Sequence, residues 1–191
     1  MSLFVLNDVR FNFVKVFIPE VNALNGQEEF SVMVDFPNDH PQTEALEAAI
    51  QAEIDEVFGP KAKNIRHFVK INDGAKAYVP TGHWYFTAKT RVNNRLPDGG
   101  KPRVVDAKKN PITDASGCYS GCRGNIAINI KAYNVNVNKG VTCYLSALQV
   151  TEQGENLEAS AIDAFGVTDG YTEPEKPADA ADAFEDVAPI F

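Results

Sequence analysis

Residues 83–91 and 123–135 alternate polar and apolar side chains with a period of two, a pattern that only an extended strand sorts into two faces. In the first stretch Trp84, Phe86 and Ala88 share one side, with His83, Tyr85, Thr87, Lys89 and Arg91 on the other. In the second, Ile126, Ile128, Ile130 and Ala132 oppose Arg123, Asn125, Asn129, Lys131 and Tyr133. Each strand therefore offers one side to a core and a basic, aromatic, amide-rich side to something wet. Residues 141–150 repeat the arrangement more weakly, with Val141, Cys143, Leu145 and Ala147 inward and Thr142, Tyr144 and Ser146 outward. Asn138-Lys139-Gly140 reads as the hairpin turn between them. Strands are also expected over residues 11–18, 30–36, 65–71 and 103–106. One stretch has helical period: from Pro41 to Phe58, Leu46, Ala49, Ile50, Ile54 and Val57 fall on one face, with Asp39 or His40 as cap and Gly59 closing. The fold class is mainly β with one α-helix over about residues 41–58.

Charge is sorted along the chain. Residues 1–60 hold 2 basic and 11 acidic side chains, residues 61–150 hold 15 and 4, and residues 151–191 hold 1 and 11. The net of −8 thus conceals a central block of +11, the footprint expected of a polyanion site, because phosphate binding follows the local field rather than the whole-chain charge. The competing reading is that these cations pair with the acidic N-terminal third.

From Asp169 onward the chain is rich in Pro, Ala and acid, with 7 acidic residues to 1 basic. Such a composition buries too little apolar surface to offset the entropy of ordering, so a folded domain over residues 1–168 and a disordered acidic tail over 169–191 are expected. The tail ends on hydrophobes: Glu185 and Asp186 precede Val-Ala-Pro-Ile-Phe, which suits Pro189, Ile190 and Phe191 to an apolar pocket with a basic rim on a partner.

Unpaired nucleic acid offers a phosphate chain and free π-faces, so its binder needs cations and flat rings at sequence-tolerant spacing. Tyr85, Tyr119 and Tyr133 are the stacking candidates, and Lys89, Arg91, Arg123 and Lys131 the cations beside them. The loop over residues 93–109 adds Arg95, Lys101 and Arg103 with Lys108 and Lys109, and its Asp98-Gly99-Gly100 suggests a mobile basic arm. Tyrosine on a sheet also serves as half-buried packing, so the joint pattern argues more strongly than any member. Trp84 reads as core.

Several elements follow in order: His83-Trp84-Tyr85-Phe86-Thr87-Ala88, Pro102-Arg103-Val104-Val105-Asp106, Cys118-Tyr119-Ser120-Gly121-Cys122, Gly140-Val141, Leu145-Ser146-Ala147-Leu148-Gln149-Val150 and Gly154-Glu155-Asn156-Leu157. In this order residues 78–165 resemble the bacteriophage single-stranded DNA-binding proteins of the OB-fold type. The last residues, 186–191, are similar to the acidic, Phe-terminated tips of bacterial and phage single-stranded DNA-binding proteins, differing in Val187 and Ala188 and in the order Pro189-Ile190. The resemblance implies an OB-like Greek-key barrel. It also implies sequence-independent coating of single-stranded DNA in phage replication or recombination, and a tail that recruits replication partners and competes with DNA. The attraction between tail and basic block follows in any case from their opposite charges.

The expected partners are single-stranded DNA, replication or recombination proteins through the tail, and further copies of the chain, with no cofactor and no membrane. No apolar run is long enough to span a bilayer, the first residues lack a basic leader, and three cysteines are too few for a disulfide framework, so a cytoplasmic protein is expected. Other classes fit less well. Cys118, Cys122, Cys143 and His83 carry zinc-ligand chemistry, but the spacing between Cys118 and Cys122 departs from the usual knuckle, and no metal is expected. Gly99-Gly100-Lys101-Pro102 lacks the spacing of a phosphate-binding loop, and acids are scarce in the basic block, so an enzyme is not expected. A strand-annealing mediator shares the preferred reading's surface, whereas a protein-only adaptor acting through the tail needs none of it.

Overall fold

β-Branched and aromatic residues crowd the first 21 positions, and they form a single long strand, β1 (Ser2–Val21), in the computed structural model, which describes residues 2–23, 25–63, 65–96, 98–135 and 138–156. It is followed by β2 (Glu28–Phe36), α1 (Thr43–Phe58), β3 (Lys70–Ile71), β4 (Trp84–Arg91), β5 (Arg103–Val105), β6 (Arg123–Val135) and β7 (Asn138–Glu152). Three register shifts, between Leu6 and Val9, between Asn12 and Lys15 and between Lys15 and Glu20, bend β1 sharply. Asp8 and Phe13 lie at the first two of these bends in the left-handed region, with φ of 49° and 48°. The bending lets one strand serve two neighbours: its first half pairs with β6, its second with β2, and Arg10 is in register with both Arg123 and Asp35.

The hydrogen-bonded order is β3-β4-β2-β1-β6-β7-β5, and a further parallel pairing of β4 with β7 at Lys89 and Tyr144 closes the five central strands into a barrel. Numbered along the chain, these five (β1, β2, β4, β6, β7) run round the barrel as first, second, third, fifth and fourth, an OB-like Greek key. Partners traced from Lys15 through Ser31, Lys89, Tyr144 and Asn129 return to β1 at Leu3, twelve residues before the start, so the strands are strongly tilted.

The inward faces fill the barrel with Leu6, Val9, Phe11, Val32, Val34, Phe36, Phe86, Ile126, Ile128, Ile130 and Leu148. The two faces expected of β4 and β6 are the two faces observed. On β7 the alternation slips at Ser146, because the pairing jumps from Ala127↔Ala147 to Ile128↔Leu145. Val141, Cys143 and Leu145 point inward as read, but beyond the bulge Leu148 and Val150 take over and Ala147 does not. The hairpin expected at Asn138-Lys139-Gly140 is also displaced: these three belong to β7, opposite Val135, Asn134 and Tyr133, because Tyr133 lies across Gly140 and extends the ladder. Of the strand expected over residues 65–71 only Lys70–Ile71 forms, joined to an isolated bridge from Arg66 to Gly140.

Helix α1 closes one end of the barrel with Leu46, Ile50 and Ile54. Val57, expected on that face, is 49% exposed. No side chain caps the N-terminus; instead Gln42 accepts from the Asn7 amide at 2.8 Å and donates to the Val5 carbonyl at 3.0 Å, pinning the helix start to β1. The buried Glu53 accepts from the Ala132 amide at 3.1 Å and fixes the helix against β6. Gly59, at φ 83°, ends the helix and donates to the Asp55 carbonyl. Among the described residues no helix is long and apolar enough to cross a membrane. The expected tail, including Glu185, Asp186, Pro189, Ile190 and Phe191, lies outside the described residues.

Gly124 sits where a Cβ would run into the Gln149 carbonyl of β7. Replacing it with alanine forces β6 and β7 apart, so Gly124→Ala is expected to lower stability by about 1–3 kcal/mol in urea unfolding, with the m-value unchanged.

Candidate nucleic-acid interface

The outer face of β4 alternates away from the core, which turns Tyr85, Thr87, Lys89 and Arg91 toward solvent. β2 supplies the adjacent row, and there the outward residues Glu29, Met33 and Asp35 are themselves buried beneath neighbouring side chains. Glu29 lies between the cations of β4: Lys89 Nζ is 3.3 Å from Oε2 and Arg91 Nε is 3.8 Å from Oε1. Two residues of the loop between β1 and β2 complete its shell, with Asn22 donating to Oε2 at 2.8 Å and Asn25 to Oε1 at 3.4 Å. Burial opposes ionisation of Glu29, but the hydrogen bonds from Asn22, Asn25 and Lys89 and the charge of Lys89 outweigh it and hold the carboxyl below its ordinary value.

Across the barrel seam Lys89 meets Tyr144 of β7. Tyr144 is 40% exposed and lines two adjoining hollows, one of about 200 Å³ with Glu29, Lys89, Arg91 and Thr142, the other of about 500 Å³ with Arg91, Asn93 and Leu96. Lys131 of β6 is in register with Thr142 and extends the same surface. A ring half open to solvent, set between cations and beside an outward-facing amide, Asn129, is the arrangement that a stacked base and its flanking phosphates require.

A second exposed ring pair lies further along β1. Phe13 and Tyr78 meet edge to face at 4.8 Å and are 48% and 39% exposed, with Lys76 Nζ 6.0 Å from the Tyr78 ring. Asp35 anchors this end: Arg10 Nε donates at 2.9 Å, Asn12 Nδ2 at 2.5 Å, and His83 Nδ1 stands 2.9 Å from Oδ2, while Arg10 Nη2 also donates to the Tyr78 carbonyl. Holding Phe13 in the left-handed region costs about 1–3 kcal/mol, which the bulge and its neighbours sustain.

The ten DNA-binding candidates are distributed unevenly. Lys89, Arg91 and Lys131 come together around Tyr144, and Tyr85, half-buried, sits four residues along β4 between Asp35 and Lys70. Arg95 and Lys101 are carried on the connection after β4, which is folded rather than free: Asn93 donates to Gly99 at 2.7 Å, Leu96 to Asn93 at 2.9 Å, and Lys101 packs 5.0 Å from the Phe17 ring. Arg103 is exposed on β5, beyond β7. Arg123 stands at the far end of β6, about 20 Å from Asn129 at the rise of a strand, and pairs with Asp8 at 2.9 Å.

Two of the tyrosines lie against neighbouring backbone. Tyr119 packs its ring against the core and donates its hydroxyl to the Gly154 carbonyl at 3.0 Å, fastening the end of β7. Tyr133 lies across Gly140, where a Cβ would come within 2.6 Å of Cζ. Tyr133 keeps the outer face of β6, half-buried over that backbone, and Tyr119 is likewise half-buried. Among the described residues the exposed rings outside these ten candidates are Phe13, Tyr78 and Tyr144. The outward phase of Tyr144 was legible from period two, whereas Phe13 depends on a bulge and Tyr78 on a loop.

The three cysteines are free and buried, and burial pushes the Cys118 thiol up to about 12. Cys143 lies on β7, where Sγ points to the Thr87 carbonyl, and among the described residues no three metal-ligating side chains cluster.

A closed five-strand Greek key with cations on the outer face of its third and fourth strands and a half-exposed ring on its fifth defines an OB-type barrel with an oligonucleotide-type surface. The chain belongs to the family of the Enterobacter phage Enc34 ssDNA-binding protein, whose model matches residues 2–179. No curated protein matches the sequence. Among solved structures it is similar to the single-stranded DNA-binding protein of bacteriophage Enc34 in complex with ssDNA, at TM-score 0.67 and 16% identity over 81% of this chain and 89% of that one. It is also similar to gp2.5, a single-stranded DNA-binding protein encoded by bacteriophage T7, at TM-score 0.59 and 14% identity over 82% and 94%. The family resemblance read from the motif order holds, and at these identities the solved structures add the fold.

Because the carboxyl of Glu29 is held below its ordinary 4.5, the ionised form stabilises the fold above that pH, and the contribution is lost as pH falls through the lowered value. Glu29→Gln is expected to flatten the fall of melting temperature on the acid side of 4.5 relative to the parent, measured by thermal unfolding across a pH series.

Proposed function

We propose that this protein coats single-stranded DNA without regard to sequence during phage DNA replication or recombination, and that it does so along the outer face of β2, β4 and β7. The observation that carries the reading is the cluster of Lys89, Arg91 and Lys131 around the half-exposed Tyr144, across the barrel seam. Phosphates engage the cations, a base stacks on Tyr144, and the Phe13–Tyr78 pair with Lys76 receives the strand further along. Duplex DNA keeps its base faces stacked internally and meets the cations alone. Family membership and the ssDNA complex of the similar Enc34 protein support the reading.

The acidic residues beyond Asp169 act in this scheme as a tether. Their charge competes with DNA for the basic face, and the terminal Pro189-Ile190-Phe191 docks on replication or recombination proteins.

The test is fluorescence anisotropy of a labelled oligo-dT strand with duplex as competitor, using the full chain and a chain ending at Thr168. The full chain is expected to prefer the single strand, and removal of the tail to raise affinity most at low salt. Tyr144→Ala is expected to lose about 1–3 kcal/mol with the salt slope unchanged. Lys89→Gln and Arg91→Gln are each expected to reduce that slope by about 0.7. Absence of binding by either form sinks the coating reading in favour of an adaptor that works through the tail alone.

A further inference from the structure

The end of the barrel that α1 closes is not fully covered. Between the helix and the segment leading to β3 runs an open groove of about 600 Å³ whose walls are Ile50 and Ile54 of α1, Ile65 and Val69 opposite, and Trp84 at its floor. Trp84 is on the core side of β4, opposite in phase to Tyr85 and Lys89, so the groove and the basic face are separate surfaces. The rim on the helix side is acidic. Glu44 and Glu47 line it, among the described residues neither has an ion-pair partner, and from Pro41 to Phe58 the helix region carries five carboxylates and no Lys or Arg. The facing wall contributes His67 as its one titratable side chain; Lys61 and Lys63, neighbours of Ala62, do not line the groove.

This charge decides the occupant. A phosphate chain is repelled by Glu44 and Glu47, and so is the protein's own tail, which carries 7 acids to 1 base from Asp169 onward. The apolar walls call for one or two large side chains, and the rim calls for lysine or arginine beside them.

We propose that the groove between α1 and β3 is a docking site for a partner protein that inserts a cationic amphipathic segment, its apolar side on the partly exposed Ile65 and Trp84 and its basic side on Glu44 and Glu47. The protein then holds a strand on one surface and a partner on another, with a contact independent of the tail.

Trp84 is the chain's single tryptophan and reports the site directly. The probes are a short tryptophan-free peptide of Leu, Phe and Lys and its counterpart with Glu in place of Lys, each titrated into the full chain. The cationic peptide is expected to shift Trp84 emission saturably, and the acidic one to leave it unmoved. The double variant Glu44→Gln/Glu47→Gln is expected to weaken binding about fivefold, as two surface ion pairs allow. Ala48→Phe, which fills the groove from an exposed helix position, is expected to abolish it, and saturating oligo-dT to leave it intact. Equal binding of both peptides, emission unmoved by the cationic one, insensitivity to the Gln variants, or displacement by oligo-dT each overturns the proposal. Capture of the cationic peptide by the acidic tail alone falls among the overturning results, because it leaves Trp84 unmoved.

Discussion

The parallel contact between β4 and β7 at Lys89 and Tyr144 does two things that no other pairing among the described residues does. It closes the barrel, so that the inward faces of five strands share one core. It also sets a cation of the third barrel strand beside an aromatic of the fifth, from segments more than fifty residues apart. Closure depends in turn on β1, whose register shifts turn one strand through the corner between β2 and β6. A straight β1 leaves β7 too far from β4 to pair, and with that the juxtaposition at the seam is lost.

A buried carboxylate at the centre of a surface read as phosphate-binding looks contrary to purpose. Glu29 lowers the net charge of the cluster, yet it fixes Lys89 and Arg91, which otherwise lose side-chain entropy on meeting a strand, and it fastens the β1–β2 loop through Asn22 and Asn25. The two cations remain 47% and 64% exposed, so water screens their pairing with Glu29 and each keeps donors for a second anion. Preorganised donors with part of their charge already balanced favour many weak contacts over one tight one, which is what sliding along a strand asks for.

The legible part of the fold is the part that period two encodes. The faces of β4 and β6 were readable because Trp84, Phe86 and Ala88, or Ile126, Ile128 and Ile130, need one side of a strand and nothing else. The misread positions are those where a backbone irregularity resets the phase: Ser146 moves Ala147 outward, and Gly140 extends β7 by taking the Tyr133 ring. Val57 fits the helical period, but α1 stops covering the barrel before it. For the site, the cations Lys89, Arg91 and Lys131 follow from composition and phase. Which tyrosine stays exposed does not, because it depends on whether glycine or core lies next to the ring across the strand: Tyr119 and Tyr133 find such neighbours, and Tyr144 faces the seam.

The charge sorting resolves in the same terms, since the two readings of the +11 block apply to different cations. Within the block Arg123 is held by Asp8, and Lys89 and Arg91 by Glu29, so acids of the N-terminal third do neutralise part of the sheet surface. Arg95, Arg103, Lys131 and Lys139 have no ion-pair partner among the described residues. The paired cations are held in fixed positions by their carboxylates, whereas the unpaired ones project freely, and any phosphate that either set neutralises enters the salt dependence of binding. The acids of α1 stay out of both sets. Gathered at the barrel's closed end, they divide the molecule into a surface fit for an anion and a surface fit for a cation, on one rigid core.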